Sequence, residues 1–274
     1  MNKVIKLQYI PRQLLGVEIA IHSPAFHTYS VVNRIVKGVR TMAIRAVFFD
    51  LDDTLHDALK PFKRTFKKVF PQYDHSVPIT DLYKSYRFYS DLLWKDYSSQ
   101  LLTLEELRIQ RMVLALKSFD IPISIEDACH FQYEYEIAQK NIEVFSEVPE
   151  LLVKLHEMNI VVGVITNGPV EHQYNKIRTL DLMKYISKNR IFVSDEVGSA
   201  KPDTRIFHYA AEKVKLPSQT ILYVGDSWMI DIVGAHKAGW KAVWYNHRMR
   251  KAETNEQPLG EITNLSSLLK LIIT

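Results

Sequence analysis

One cysteine, Cys129, stands in a chain of 274 residues. No disulfide can therefore form within the chain, and nothing calls for an oxidising compartment. Long apolar runs are missing too. None reaches the ~18 residues needed to span a bilayer, and the best N-terminal candidate, 14–21, is short and carries Glu18. No A-x-A-like cleavage site follows an apolar core, which argues against a secretory signal. These absences predict a cytoplasmic protein with no membrane partner. Net charge is also missing from most of the chain. Residues 1–41 hold six basic residues against Glu18 alone, for +5, while the remainder carries −1 of the overall +4. Without a basic footprint to neutralise phosphates, a nucleic-acid polymer is excluded as a partner of that remainder. Repeats and low-complexity segments are absent as well.

What is present is an ordinary globular composition, 47% hydrophobic and 24% charged, with length for one large domain or two modest ones. Residues 1–41 show no useful periodicity and are broken by Pro11 and Pro24. From Ala46 the pattern changes. AVFFD (46–50) reads as a short buried strand that ends in polar chemistry. The tract 58–147 has helical spacing and four candidate helices: Leu82, Tyr86, Tyr89, Leu93 and Tyr97 recur every three or four positions. A Thr103-x-x-Glu106 capping box opens a further run through Leu104, Leu107, Met112 and Leu116. Beyond Glu147 the chain alternates. Helices are expected at 149–158, 170–180, 203–214 and 229–238, strands at 160–166, 190–194, 220–226 and 241–245. A polar loop at 250–264 and a final helix at 265–272 follow.

Apolar strands alternating with amphipathic helices predict an α/β fold, a Rossmann-like parallel sheet with helices on both faces. The helical tract is too long for a loop and must pack as an inserted all-helical cap. The expected organisation is an α/β core over 43–57 and 148–274, a cap over 58–147 and an N-terminal extension over 1–41.

In an open α/β sheet, ligands bind beyond the carboxyl ends of the strands. The residues expected there are Asp50 and Asp52, then Thr166 and Asn167, then Asp226 with Asp231 following, and Lys201 in the loop after the third strand. Converging carboxylates with one lysine suit a divalent cation and a phosphate. The acids alone would repel a phosphate dianion. A hard cation such as Mg²⁺ resolves this by taking a few carboxylate or carbonyl oxygens and leaving positions for phosphate oxygen. Lys201 and Thr166 would hold the remaining phosphoryl oxygens.

DLDDT (50–54), ITN (165–167), KP (201–202) and GDSWMID (225–231) resemble the four ordered motifs of the haloacid dehalogenase-like (HAD) hydrolase superfamily, over roughly 43–250. The long helical insertion resembles its helical-cap subclass. This resemblance implies Asp50 as a nucleophile that forms an aspartyl-phosphate, and Asp52 as the general acid and then base. It implies Asp50, the Asp52 backbone carbonyl and Asp226 as Mg²⁺ ligands, with Asp231 a ligand directly or through water. Thr166, the Asn167 amide and Lys201 would cradle the phosphoryl group, and Asp53 would be a bystander. Dehalogenases of the superfamily need no metal and lack the aspartate at position 52, so Asp52 and Asp226 favour a phosphatase. Phosphonate-cleaving members use a Schiff-base lysine and a much smaller cap.

The stretches 166–182, 191–207 and 92–111 are similar to the branch containing pyrimidine 5'-nucleotidases and N-acylneuraminate-9-phosphatases. In that branch T-N-G is followed by a glutamine and basic residues on the next helix, and the cap carries a Leu-Trp pair and a closing arginine, here Arg111. The resemblance implies a nucleoside 5'-monophosphate as substrate and Arg111 as a contact to its phosphate or base, with a solvated or cap-internal salt bridge as the alternative for Arg111. A sugar phosphate or phosphoglycolate, or a non-catalytic phospho-ligand-binding relative, are the alternatives.

Several residues are expected to be structural. Tyr86, Tyr89, Trp94 and Tyr97 should form cap core, with stacking on a nucleobase as the alternative, and His172 and Gln173 should be exposed rather than catalytic. Trp228 either edges the pocket or packs under the next helix, and His56 and Asp57 line the entrance or form a hinge. Members of the superfamily usually begin a few residues before the nucleophile strand, where Met42 lies. KGVRTM (37–42) back-translates to a purine-rich, ribosome-binding-like sequence before ATG. Residues 1–41 are accordingly expected to be disordered or an artefact of a start assigned too early, with a basic targeting or docking arm as the rival. The sequence carries no signature of an oligomeric state.

Overall fold

The structure, a computed structural model, describes residues 43–273, and the expectations for 1–41 lie outside them. Its first strand, β1 (Ala46–Phe49), shows how the sheet is buried. Val47 and Phe49 enter one apolar cluster while Ala46 and Phe48 enter another, so alternate side chains fill both faces. The other strands are β2 (Val161–Thr166), β3 (Ile191–Val193), β4 (Ile221–Gly225), β5 (Lys241–Tyr245) and β6 (Gly260–Ile262). All pair in parallel, in the order β3-β2-β1-β4-β5-β6. Succession runs one way from β1 and the other way from β4, so these two central strands flank the topological switch point.

The insertion that follows β1 contains four helices: α1 (Leu59–Val69), α2 (Ile79–Ser98), α3 (Leu104–Lys117) and α4 (Ile125–Ala138). The Thr103–Glu106 capping box forms and starts α3, and a second box, Ser124–Asp127, starts α4. Their apolar faces meet in a cluster of their own around Phe62, Phe66, Tyr86, Met112, Phe131 and Tyr135. Tyr86 lies in that cluster and Tyr89 packs against it, as expected of cap core. Trp94 does not. It faces a cavity, and the Tyr97 hydroxyl donates to Asp195 at 3.3 Å. Helical spacing places residues on one face without saying which end of that face meets a neighbour.

After the insertion come α5 (Val148–Glu157), α6 (Val170–Thr179), a single turn α7 (Ser194–Val197), α8 (Thr204–Val214), α9 (Val233–Lys237) and α10 (Leu268–Ile273). Two expectations are corrected. The polar stretch 250–264 contains β6, whose only buried residue is Ile262; three residues on a sheet edge leave no period to read. The helix expected from 229 begins instead as a π turn, Trp228–Ile232, in which the Ile232 amide reaches the Ser227 carbonyl. Such turns recur at functional sites.

Candidate active site

The Asp50 amide donates to the Val224 carbonyl at 2.9 Å, which holds the ends of β1 and β4 level. Asp50 therefore emerges from one central strand beside Asp226 from the other, at the switch point. The π turn after β4 brings in Asp231. One carboxylate oxygen from each of Asp50, Asp226 and Asp231 lies within 4.8 Å of the other two, and all three side chains are buried. Gly225 makes room for this: a Cβ there would sit 2.4 Å from the Asp231 carboxyl. The Asp231 Oδ2 accepts from the Ser227 amide at 3.0 Å, which fixes its orientation.

Lys201 joins these acids. Its ammonium donates to Asp50 Oδ1, Asp231 Oδ1 and the Tyr223 hydroxyl, each at 2.6 Å. The Tyr223 hydroxyl in turn donates to the Ile165 carbonyl. Burial and the neighbouring Asp231 and Asp52 push Asp50 up to about 6 against the pull of Lys201. Burial likewise pushes Asp226 well up, helped by Asp53 and opposed by Arg250, whose Nη1 donates to Asp226 Oδ2 at 3.1 Å. An all-oxygen donor set whose members repel one another in a buried site fits a hard divalent cation.

Asp52 has a different environment. Burial alone would raise it, but the Lys176 ammonium donates to both of its oxygens, at 2.7 and 2.5 Å, and His56 Nε2 lies 2.9 Å from Oδ1. Lys176 and His56 together hold the carboxyl well below its usual range. Burial pulls Lys176 down as well, more than Asp52 lifts it. Two short bonds from one ammonium to both oxygens mark the pair as ionised.

A haloacid dehalogenase-like hydrolase family model matches residues 47–245. The chain belongs to that family. Among relatives of this hydrolase, pyrimidine 5'-nucleotidase YjjG of Escherichia coli is 28% identical over 82% of this chain and 96% of its own. Glyceraldehyde 3-phosphate phosphatase of Pyrococcus abyssi is 28% identical over 84% of this chain and 94% of its own. Two solved structures share the fold. The putative HAD-hydrolase YfnB of Bacillus subtilis, bound to magnesium, has a TM-score of 0.65 and 24% identity, over 84% of this chain and 99% of its own. A dehalogenase has a TM-score of 0.70 and 20% identity, over 85% and 98%.

In this hydrolase the remaining residues singled out from sequence are placed as follows. Thr166 is buried at the end of β2. The Asn167 side-chain amide is committed to Lys201: Nδ2 donates to its carbonyl at 2.8 Å and Oδ1 accepts from its amide at 2.9 Å. Asp53 anchors the loop after β1 by accepting from Arg248 and from the Ala58 amide. Trp228 packs edge-on to Trp244, in the inner of its two expected positions. Arg111 lies on the opposite, helical wall of the cavity, 4.3 Å above the Tyr86 ring, with Nη1 on Ser90 and Nη2 on Gln132.

Expected exposure at the start of α6 is corrected. Gln173 is 2% exposed and donates to the Asn167 carbonyl at 2.5 Å, while His172 lines the cavity. Lys176, Arg250 and the His56–Asp52 pair were not assigned from sequence. Gln173 and Lys176, three apart on one helix face behind T-N-G, carried a signal. Arg250 carried none, because it lies in a loop that only the sheet brings back to Asp226.

Proposed function

We propose that this hydrolase is a Mg²⁺-dependent cytoplasmic phosphatase of small soluble phosphomonoesters, working through an aspartyl-phosphate on Asp50. The convergence of Asp50, Asp226 and Asp231 on Lys201, beside a separately paired Asp52, carries the reading. Asp50, the Asp52 carbonyl, Asp226 and Asp231 would hold Mg²⁺, which supplies charge neutralisation between the acids and a phosphate dianion.

The chain's own groups account for the rest. Lys201 fixes one Asp50 oxygen and leaves the other to attack phosphorus. As the Asp50–phosphorus bond forms, the bond to the leaving oxygen breaks, and Asp52 relays to that oxygen a proton from the Lys176 ammonium bonded to it. Asp52 then takes a proton from water and returns it to Lys176. That water attacks phosphorus, the bond to Asp50 breaks, and inorganic phosphate leaves. Thr166 and the Asn167 backbone amide would contact phosphoryl oxygens. With all three Lys201 donors engaged, this lysine serves first to hold Asp50 and Asp231 in register. The helical insertion acts as a cap that closes to exclude water.

Displacement of halide by Asp50 would have no use for Asp52 or Asp226, which favours the phosphatase over the dehalogenase. A cavity of about 730 Å³ fronts the site, with Trp94 and Tyr86 on its helical wall. Its size and the nucleotidase among the relatives support a nucleoside 5'-monophosphate as substrate. The glyceraldehyde 3-phosphate phosphatase supports a sugar phosphate as the second reading. Hydrolysis of p-nitrophenyl phosphate with and without Mg²⁺ tests the class. Turnover should require the metal and vanish in Asp50→Asn. A non-catalytic phospho-ligand-binding protein would show none in the wild type, and undiminished turnover by Asp50→Asn would remove the mechanism.

A further inference from the structure

The wall of the cavity facing Asp52 and Lys201 is built by α2, α3 and α4, and it carries three arginines. Arg108 is paired with Glu136 at 2.9 Å. Arg111 meets only neutral partners, Ser90 and Gln132, and its Nε has no hydrogen-bond partner. Among the described residues Arg87 makes no hydrogen bond or ion pair; Asp91, Asp52 and Asp53 are in its electrostatic neighbourhood without closing on it. All three guanidinium groups are within electrostatic reach of the Tyr86 hydroxyl. That side chain is 1% exposed, and its hydroxyl has no partner. The Tyr83 hydroxyl, beside Arg87 and equally buried, has none either.

Buried donors without acceptors are costly, and native proteins leave few of them. The buried atoms left unpaired on this wall are the Arg111 Nε and the two phenol hydroxyls, with Arg87 exposed beside them, so what completes it must bring acceptors. Glu136 is spent on Arg108, and the carboxylates near Arg87 are Asp52, already paired with Lys176, Asp53, already paired with Arg248, and Asp91, so Arg111 keeps an uncompensated charge. A neutral acceptor such as a nucleobase carbonyl would satisfy the hydroxyls and leave that charge in place. An oxyanion satisfies both, and the planar fork of arginine matches carboxylate and phosphate alike.

We propose that Arg87, Arg108 and Arg111, with the Tyr83 and Tyr86 hydroxyls, form a subsite for a second anionic group. The substrate is then a small phosphomonoester with a carboxylate or another phosphate at its far end. This rests on the phosphatase reading of the Asp50 pole and departs from a nucleoside monophosphate, whose far end is neutral.

Calorimetric binding to the inactive Asp50→Asn protein with Mg²⁺ tests the subsite without turnover. The probes are 3-phosphoglycerate against glycerol 3-phosphate, glucose 1,6-bisphosphate against glucose 6-phosphate, and uridine 5'-monophosphate. In at least one pair the doubly anionic ligand should bind about tenfold or more tightly than its partner, and more tightly than the nucleotide. Which pair responds tells carboxylate from phosphate. Arg111→Gln and Arg87→Gln, each made in the Asp50→Asn protein, should bring the ratio close to one. Arg87, with no bond to lose, can be replaced without unfolding the cap. Equal or undetectable binding within both pairs overturns the subsite, as does a preference that survives both arginine substitutions. Absence of p-nitrophenyl phosphate hydrolysis by the wild type would overturn the phosphatase reading and still leave this binding comparison decisive.

Discussion

Lys176 and Asp52 face each other with side chains 5% and 11% exposed, so removing either strands a charge in the interior. Breaking such a pair costs about 3 kcal/mol, more than the pair itself contributes. Lys176→Met should lower stability by about that amount in urea unfolding, and adding Asp52→Asn should restore part of it. In the single variant kcat on p-nitrophenyl phosphate should fall about tenfold or more, because the acid–base carboxyl loses the cation that orients it. His172 gives a pH prediction. Burial, then Lys176 and Arg108, hold its imidazole well below the usual 6.5. Below 6.5 the unfolded chain takes up a proton that the folded chain refuses, so this residue's stability contribution is lost as pH falls through that value. Unfolding free energies measured above and below pH 6.5 should fall less steeply in His172→Gln than in the wild type. Of these residues Asp52 was legible from its place in D-x-D-x-T. Its partners were not, since no spacing rule links position 52 to position 176.

At the scale of elements, the end of β4 has no room for a side chain. Gly225 lies directly under Asp231, and a methyl group there meets the carboxyl carbon and Oδ2 at 2.4 Å. Gly225→Ala should push Asp231 off Lys201, lower kcat and weaken the response to Mg²⁺. Gly198→Ala is the control. Its backbone is left-handed, with φ +74, but a Cβ would have nothing within 4 Å, so it should cost about 1 kcal/mol and spare the metal response. In the insertion, Phe62 packs against Tyr83, Tyr86, Phe131 and Tyr135. Phe62→Ala should cost about 3–5 kcal/mol in the same unfolding assay. Strands and helices of ordinary length were legible because their periods repeat. β6 and the π turn were not, since one is too short for a period and the other depends on where Asp231 must point.

For the whole molecule, three buried carboxylates at the switch point repel one another, and a cation that binds only the folded chain stabilises it by mass action. Mg²⁺ should raise the Tm in a saturable way, a chelator should reverse the rise, and Asp226→Asn should shrink it, all readable by scanning fluorimetry. A Tm indifferent to Mg²⁺ would remove the metal from the assignment. Among the described residues no helix is long and apolar enough to cross a membrane.

The sequence by itself determined the alternation of strands and helices, the length of the insertion, and the family motifs at the strand ends. Each is local: a burial period, a capping box, a run of four or five residues. With the rule that ligands gather beyond strand carboxyl ends, that was enough to expect Asp50 near Asp226. The tertiary structure decided what surrounds them. It joined Lys176 to Asp52 and Arg250 to Asp226, turned Asn167 toward the Lys201 backbone, and set the three arginines around two unpartnered tyrosine hydroxyls. Most of those contacts span two dozen to more than a hundred positions, and their geometry comes from strand order and helix packing, which leave no periodic mark on the residues they bring together.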